Sequence, residues 1–357
     1  MNMSKRKILA GLLVAVLIMT VFSACSKKET AKEMLEKSIE RSMETKSVKQ
    51  TFDMGVSFDP GMTEEEKAQD PMSGGLVEMI DSMNVSGEFA SDTESGISGG
   101  NVLIDMKGMQ FNLEVYADSM GGVFIKMPMS DKYITVNTTG EIPSEEEIEE
   151  MKTFSKEIAT SLIAGFSEEN MIIEDKSVEL SDGTYDLNEI TVTLDDAEAK
   201  ELIKSLIPEI YSNGTMRKSL ETNVRMQWEM EGKNIKDMDI EAEIDSLVEK
   251  ASKAFDEAEG VFTIDEFVMV FGIDKDYNTR ETNVNMAYSV TDETTEKPVK
   301  MGFEFTSETY GIDEPVSIDM PAVNEENSIT MEDFVMQTMF GGMQQIQPMP
   351  ESGASQK

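Results

Sequence analysis

Met109-Gln110-Phe111-Asn112-Leu113-Glu114-Val115 alternates apolar and polar residues without a break. A segment with that period puts every second side chain on one face, as a half-buried β-strand does. The same period of two runs through its neighbours. Upstream it recurs at Val102 and Ile104, and at Met83, Val85, Gly87 and Phe89. Downstream it appears in shorter form from Val123 to Met127 and from Tyr133 to Thr135. Polar and glycine turns are read at Gly96 to Asn101 and at Ser119 to Gly122. Short strands joined by short turns predict an antiparallel meander.

Ahead of the meander, Val48, Phe52, Met54, Val56 and Phe58 form another alternating strand. It follows a helix expected from Thr30 to Thr45, with Ala31, Met34, Leu35, Ser38, Ile39, Ser42 and Met43 on one face at spacings of three and four. Residues 59–75 hold Pro60, Gly61, Pro71, Gly74 and Gly75 around an acidic run, and are expected to form a long loop or a mobile insertion. Beyond the meander, Ser144 and Glu147 make a capping box for a helix through Ile148, Met151, Phe154, Ile158 and Leu162. The glutamates crowding its first turns suit the positive end of the helix dipole, a simpler account than an acid–base pair.

A second block repeats this order. Strands at Ile172–Ile173 and Val178–Leu180 lead through the turn Ser181-Asp182-Gly183 to a strand from Tyr185 to Leu194. A helix runs from Asp195 towards Tyr211, with Pro208 expected to kink or end it. The stretch 223–230, around the single Trp228, fits strand or helix, and Ile244, Leu247, Val248, Ala251, Phe255 and Ala258 make a further amphipathic helix. Strands are then expected at Phe262–Phe271, Thr282–Val290, Val299–Thr306 and Val316–Met320. Asp274-Lys275-Asp276-Tyr277-Asn278 superficially suggests a calcium loop, but Thr279 stands where glycine is needed and Asn285 where glutamate is. An Asp/Asn-rich hairpin turn is the better reading. A Met-rich tail over 323–357 carries a short helix through Met331, Phe334, Val335 and Met339.

The N-terminus says where the chain goes. Lys5, Arg6 and Lys7 precede an apolar run from Ile8 to Phe22, and Ser23-Ala24-Cys25 follows. This is the build of a secretory leader rather than a spanning helix. The one cysteine of the chain stands directly after a small-small pair, where a lipoprotein leader is cut and the thiol acylated, for example by palmitate. Residues 1–24 are thus read as a lipoprotein signal peptide, 25–29 as a lipid-anchored tether and 30–322 as the folded body. The expected place is the outer face of the cytoplasmic membrane of a Gram-positive cell.

Composition excludes several chemistries. Loss of the leader removes three basic and no acidic residues, taking the formal charge from −39 to −42, an excess that repels nucleic acid. The 357 residues include no histidine, which removes histidine-based triads and nearly all zinc sites. With Cys25 acylated, the body has no thiol for a disulfide. No catalytic residue, metal or cofactor is predicted, and the chain reads as a non-enzyme. Methionine is abundant, 30 residues, and its flexible thioether fills irregular gaps or lines adaptable apolar surfaces.

Three features together resemble a known group: the leader and helix running into a strand through Met43-Glu44-Thr45-Lys46-Ser47-Val48, the strand Tyr185–Leu194, and the close Glu314-Pro315-Val316-Ser317-Ile318-Asp319-Met320-Pro321. They resemble uncharacterised Firmicutes lipoproteins of the DUF6612 type and, more distantly, the LolA/LppX group of lipoprotein carriers. The resemblance implies an α+β fold: a strongly curved antiparallel sheet, an open half-barrel, with amphipathic helices packed on its concave side. In characterised members of that group the space between sheet and helices holds acyl chains. The expected function is therefore a membrane-anchored protein that carries an amphipathic, lipid-like ligand. Its candidate lining is Leu35, Ile39, Phe52, Met54, Phe111, Leu113, Phe303 and Phe305. The alternative is an acidic surface module that binds a protein or the cell wall, with those eight residues as plain core.

Overall fold

The computed structural model describes residues 29–119, 122–128, 130–136, 145–214, 239–257, 261–291 and 297–331, with single positions between 217 and 228 and at 333–334. The leader, Cys25, Ser144 and the tail from 335 onwards lie outside the described residues.

Helix α1 (Ala31–Glu44) begins where Thr30 and Glu33 cap each other reciprocally. It leads into β1 (Ser47–Asp59). Residues 59–75 are not a loop. They contain α2 (Glu64–Gln69) and the start of α3 (Pro71–Asp81). Thr63 and Glu66 form a capping box for α2, and Asp70 accepts the Ser73 N–H to open α3. Pro71 sits at the first helical position, where its missing N–H costs nothing.

The meander follows as β2 (Met83–Asp92), β3 (Ile97–Met106), β4 (Met109–Ala117), β5 (Val123–Lys126) and β6 (Tyr133–Val136). Residues 97–101, expected to turn, are the first half of β3. Glycine is needed there because a Cβ on Gly99 would lie 2.8 Å from the Tyr116 ring, and one on Gly100 2.8 Å from the Phe89 ring. The second block gives α4 (Glu145–Gly165), β7 (Met171–Leu180), β8 (Gly183–Thr193), α5 (Asp196–Ser212) and α6 (Ile240–Glu257). Helix α5 continues through Pro208 to Ser212 and packs against α6 and β9. The described positions from 217 to 228 are helical, with Val224 and Trp228 buried. Strands β9 (Phe262–Ile273), β10 (Thr279–Thr291) and β11 (Pro298–Tyr310) complete the block. Residues 316–320 pair with no strand; the final one is β12 (Ser328–Thr330).

All the strands among the described residues belong to one open sheet, in the order β12-β6-β5-β4-β3-β2-β1-β11-β10-β9-β8-β7. Every pairing is antiparallel except β12 with β6. The two blocks meet where β1, next to the first helix, pairs with β11, the last long strand. They make a single sheet rather than two lobes.

A polar corner secures this join. Asp313, just past β11, accepts the Lys46 N–H at 2.8 Å and pairs with Arg41 in the last turn of α1. Burial alone would push the Asp313 carboxyl up, but the Lys46 N–H and the Arg41 guanidinium outweigh it and hold the group below the ordinary carboxylate range. A lowered folded-state pKa stabilises the fold fully above the unfolded carboxylate pKa of about 3.9, and that contribution begins to fall there and is lost as pH drops through the lower, folded-state pKa. Asp313→Asn is therefore expected to lower the urea midpoint at pH 7 and to lower it less at pH 3. An equal or larger deficit at pH 3 would contradict this account.

Candidate functional site

Pairing register sorts the side chains into two faces, because directly opposed residues share a face. One row crosses the sheet as Glu114–Asn101–Glu88–Thr51–Glu308–Glu281. The adjacent rows, on the other face, read Phe111–Ile104–Val85–Met54–Phe305–Val284–Met269–Val192 and Leu113–Val102–Gly87–Phe52–Ser307–Thr282–Phe271–Ile190. The strict alternation of Met109–Val115 thus extends across eight strands as one apolar face backed by an acidic one.

Among the described residues, the main helix-packed core covers one part of the apolar face. Leu35 and Ile39 of α1, Leu162, Ile163 and Phe166 of α4, and Leu202 of α5 form one core with Ile190, Val192, Met269 and Phe271. Lys32 at the start of α1 locks this layer by donating to the carbonyls of Ala164 and Phe166 at the end of α4, at 3.0 and 3.2 Å. A second, smaller cluster is centred on Met54, Val85 and Phe305, with Phe52, Val102, Ile104 and Phe303 packed against it. Val284 touches both clusters.

The second cluster is built on aromatic rings. Phe89 and Phe52 stack at 5.9 Å, Phe52 and Phe305 at 6.4 Å, and Phe305 and Phe303 at 6.5 Å, all within 19° of parallel. Gly87 makes room for the ladder, since a Cβ there would come within 2.7 Å of the Phe52 ring. Met54, Val85 and Phe305 are buried, whereas Phe52, Phe89, Val102, Ile104, Phe111, Leu113 and Phe303 are only half-buried.

The eight residues singled out from sequence therefore divide. Phe52, Met54, Phe303 and Phe305 come together in the aromatic cluster, and Phe111 and Leu113 continue the same face on β4. Leu35 and Ile39 face the same side of the sheet but lie in the first core, fully buried under the helix layer. Sequence reasoning missed Phe89, Val85, Val102 and Ile104 as members of this surface. Their period was legible; their partnership with Phe52 needed the β1–β2–β3 register.

Two surface depressions are present among the described residues. One, of about 410 Å³, is lined mainly by polar-face residues of β1, β10 and β11, among them Asp53, Glu281 and Glu308, and also reaches Phe52 and Ser307. The other, of about 380 Å³, lies over β7 and β8. Among the described residues, no three Asp, Glu, His or Cys side chains converge as metal ligands, and no helix is long and apolar enough to cross a membrane. At the β9–β10 turn, Asp274 is enclosed by donors: the N–H groups of Asp276 and Asn278, the Asn278 amide and Arg280 Nε.

No protein-family model matches the chain, and no curated protein sequence does, so the likeness to lipoproteins of the DUF6612 type rests on the order of elements alone. Among solved structures, the Mycobacterium tuberculosis lipoprotein LppX is similar over 88% of this chain and 100% of its own, at 8% identity and a TM-score of 0.29. A structure describing lipid–protein interactions in lipovitellin is similar over 78% of this chain and 27% of its own, at 8% identity and a TM-score of 0.23.

Proposed function

We propose that the chain is a lipoprotein, anchored through acylated Cys25 to the outer face of the cytoplasmic membrane, that carries an amphipathic, lipid-like molecule without transforming it. The ligand lies between a strongly curved sheet and the helices on its concave side, in the groove floored by the aromatic cluster. One observation supports this above others: the apolar face runs on from the helix-covered strands across β11, β1, β2, β3 and β4, where Phe52, Val102, Ile104, Phe111 and Leu113 are only half-buried. A plain core would close over such residues, because each large apolar side chain fully removed from water contributes about 1.5–3 kcal/mol. An acyl chain laid on them recovers that contribution. The leader and acidic body suit a tethered carrier that stays soluble at the membrane surface.

The test is organic extraction of the protein purified from its own membranes, followed by mass spectrometry. A stoichiometric, long-chain lipid, distinct from the acyl groups on Cys25 and depleted in Phe52→Glu, is expected. Protein that carries nothing, and binds no apolar dye once delipidated, would remove the carrier reading. Mass analysis of the N-terminal peptide tests the anchor separately, with acylated Cys25 as the expected first residue.

A further inference from the structure

The apolar face has one polar interruption. Its row Leu113–Val102–Gly87–Phe52–Ser307–Thr282–Phe271–Ile190 is hydrophobic or glycine except at Ser307 and Thr282, which are 3% and 1% exposed. In the next row, Gln50 stands opposite Thr309 on β11 and Phe89 on β2. Gln50 is therefore a diagonal neighbour of Ser307 on the same face, at the spacing that long side chains bridge. Gln50 Nε2 and Ser307 Oγ are buried without a hydrogen-bond partner. The third such atom among the described residues, Asn278 Oδ1, lies apart in the β9–β10 turn.

A buried unpaired polar group is costly, so two of them side by side on one apolar face call for a shared explanation. Both atoms can donate, and a single acceptor oxygen placed between them satisfies both. No lysine or arginine belongs to these rows; the nearest along β1, Lys49, projects from the acidic face. A carboxylate or phosphate brought here would be desolvated without a counter-charge. A neutral carbonyl meets no such penalty.

Building on the groove reading, we propose that Gln50 and Ser307 form its polar end and receive the ester or amide carbonyl of a neutral acyl lipid. The acyl chain runs from there over Phe52 and Met54 towards Ile104 and Phe111. Ser307 stands between Phe52 of the aromatic cluster and Thr282, which is opposite Phe271 of the helix-packed core, so the polar end falls between the two clusters and the chain extends over the half-buried strands.

The proposal is tested on residues 26–357, which retain every described element, with Nile red as the groove dye and monooleoylglycerol, oleate and 1-octadecene as competitors. Monooleoylglycerol is expected to displace the dye at lower concentration than oleate or the alkene. Gln50→Leu and Ser307→Ala each remove an unpaired atom, so both are expected to fold, with urea midpoints equal to or above the parent. Each is expected to weaken monooleoylglycerol binding about 5- to 10-fold while leaving 1-octadecene unchanged, the loss typical of a buried hydrogen bond. If the variants bind monooleoylglycerol like the parent, or if stability falls and binding does not, the two atoms serve the fold through water and this inference fails while the groove stands. If the parent binds neither dye nor lipid, the carrier reading itself fails.

Discussion

Phe305→Ala is expected to lower the stability of the fold by about 3–5 kcal/mol, the range for removing a buried aromatic ring. Phe305 is 3% exposed and lies at the centre of the join between the two blocks, opposite Met54 on β1 and Val284 on β10. Its ring stacks between those of Phe52 and Phe303, and Phe52 cannot collapse into the vacated space without leaving its stack on Phe89. The loss combines the transfer term of the missing ring with the cavity left behind. Urea unfolding at neutral pH, with the slope checked for constancy, measures it. A loss under about 1 kcal/mol, the scale of ordinary surface changes, would mean that this cluster is not packed as core.

Asp274→Ala is expected to cost about 3 kcal/mol, at the low end for breaking a buried ion pair. Arg280 Nε donates to Asp274 at 2.8 Å, and their side chains are 11% and 6% exposed. Removal leaves the guanidinium with only the Tyr185 ring, 4.4 Å from its centre, and Asp182 at 4.0 Å. The turn also loses the acceptor that holds the Asp276 and Asn278 N–H groups at 2.9 and 2.8 Å. Asp274→Asn keeps one acceptor but not the charge, and an intermediate loss is expected. Equal losses for the two variants would assign the effect to charge alone; a negligible loss for alanine would show that Tyr185 and Asp182 suffice.

The two substitutions probe features of very different legibility. The Asp274 turn was readable, because Asp and Asn at fixed offsets satisfy their own backbone through contacts that span only a few residues. The helices α2 and α3 were equally local and still escaped, because Pro60, Gly61, Pro71 and the glycines weigh as breakers. The Thr63–Glu66 and Asp70–Ser73 pairs that start those helices are weaker marks. Residues 97–101 escaped for a different reason. Their glycines resemble a turn in one dimension and become strand positions only where the rings of Tyr116 and Phe89 lie over them. Val316, Ile318 and Met320 alternate like a strand yet pair with none. Ile318 instead lies over Gly99, and packing onto a sheet face produces the same period as joining its edge.

By itself, the sequence determined β2, the second half of β3 and β4, the apolar faces of the long helices, the acidic composition and the limits on chemistry. Each follows from the period or charge of a few neighbouring residues. Tertiary structure decided that β1 joins β11, that both blocks make one sheet, and which apolar residues lie under helices. It also placed Gln50 beside Ser307, 257 positions apart in the chain. Register across distant strands depends on the packing of the whole face, and no short window of residues contains that information.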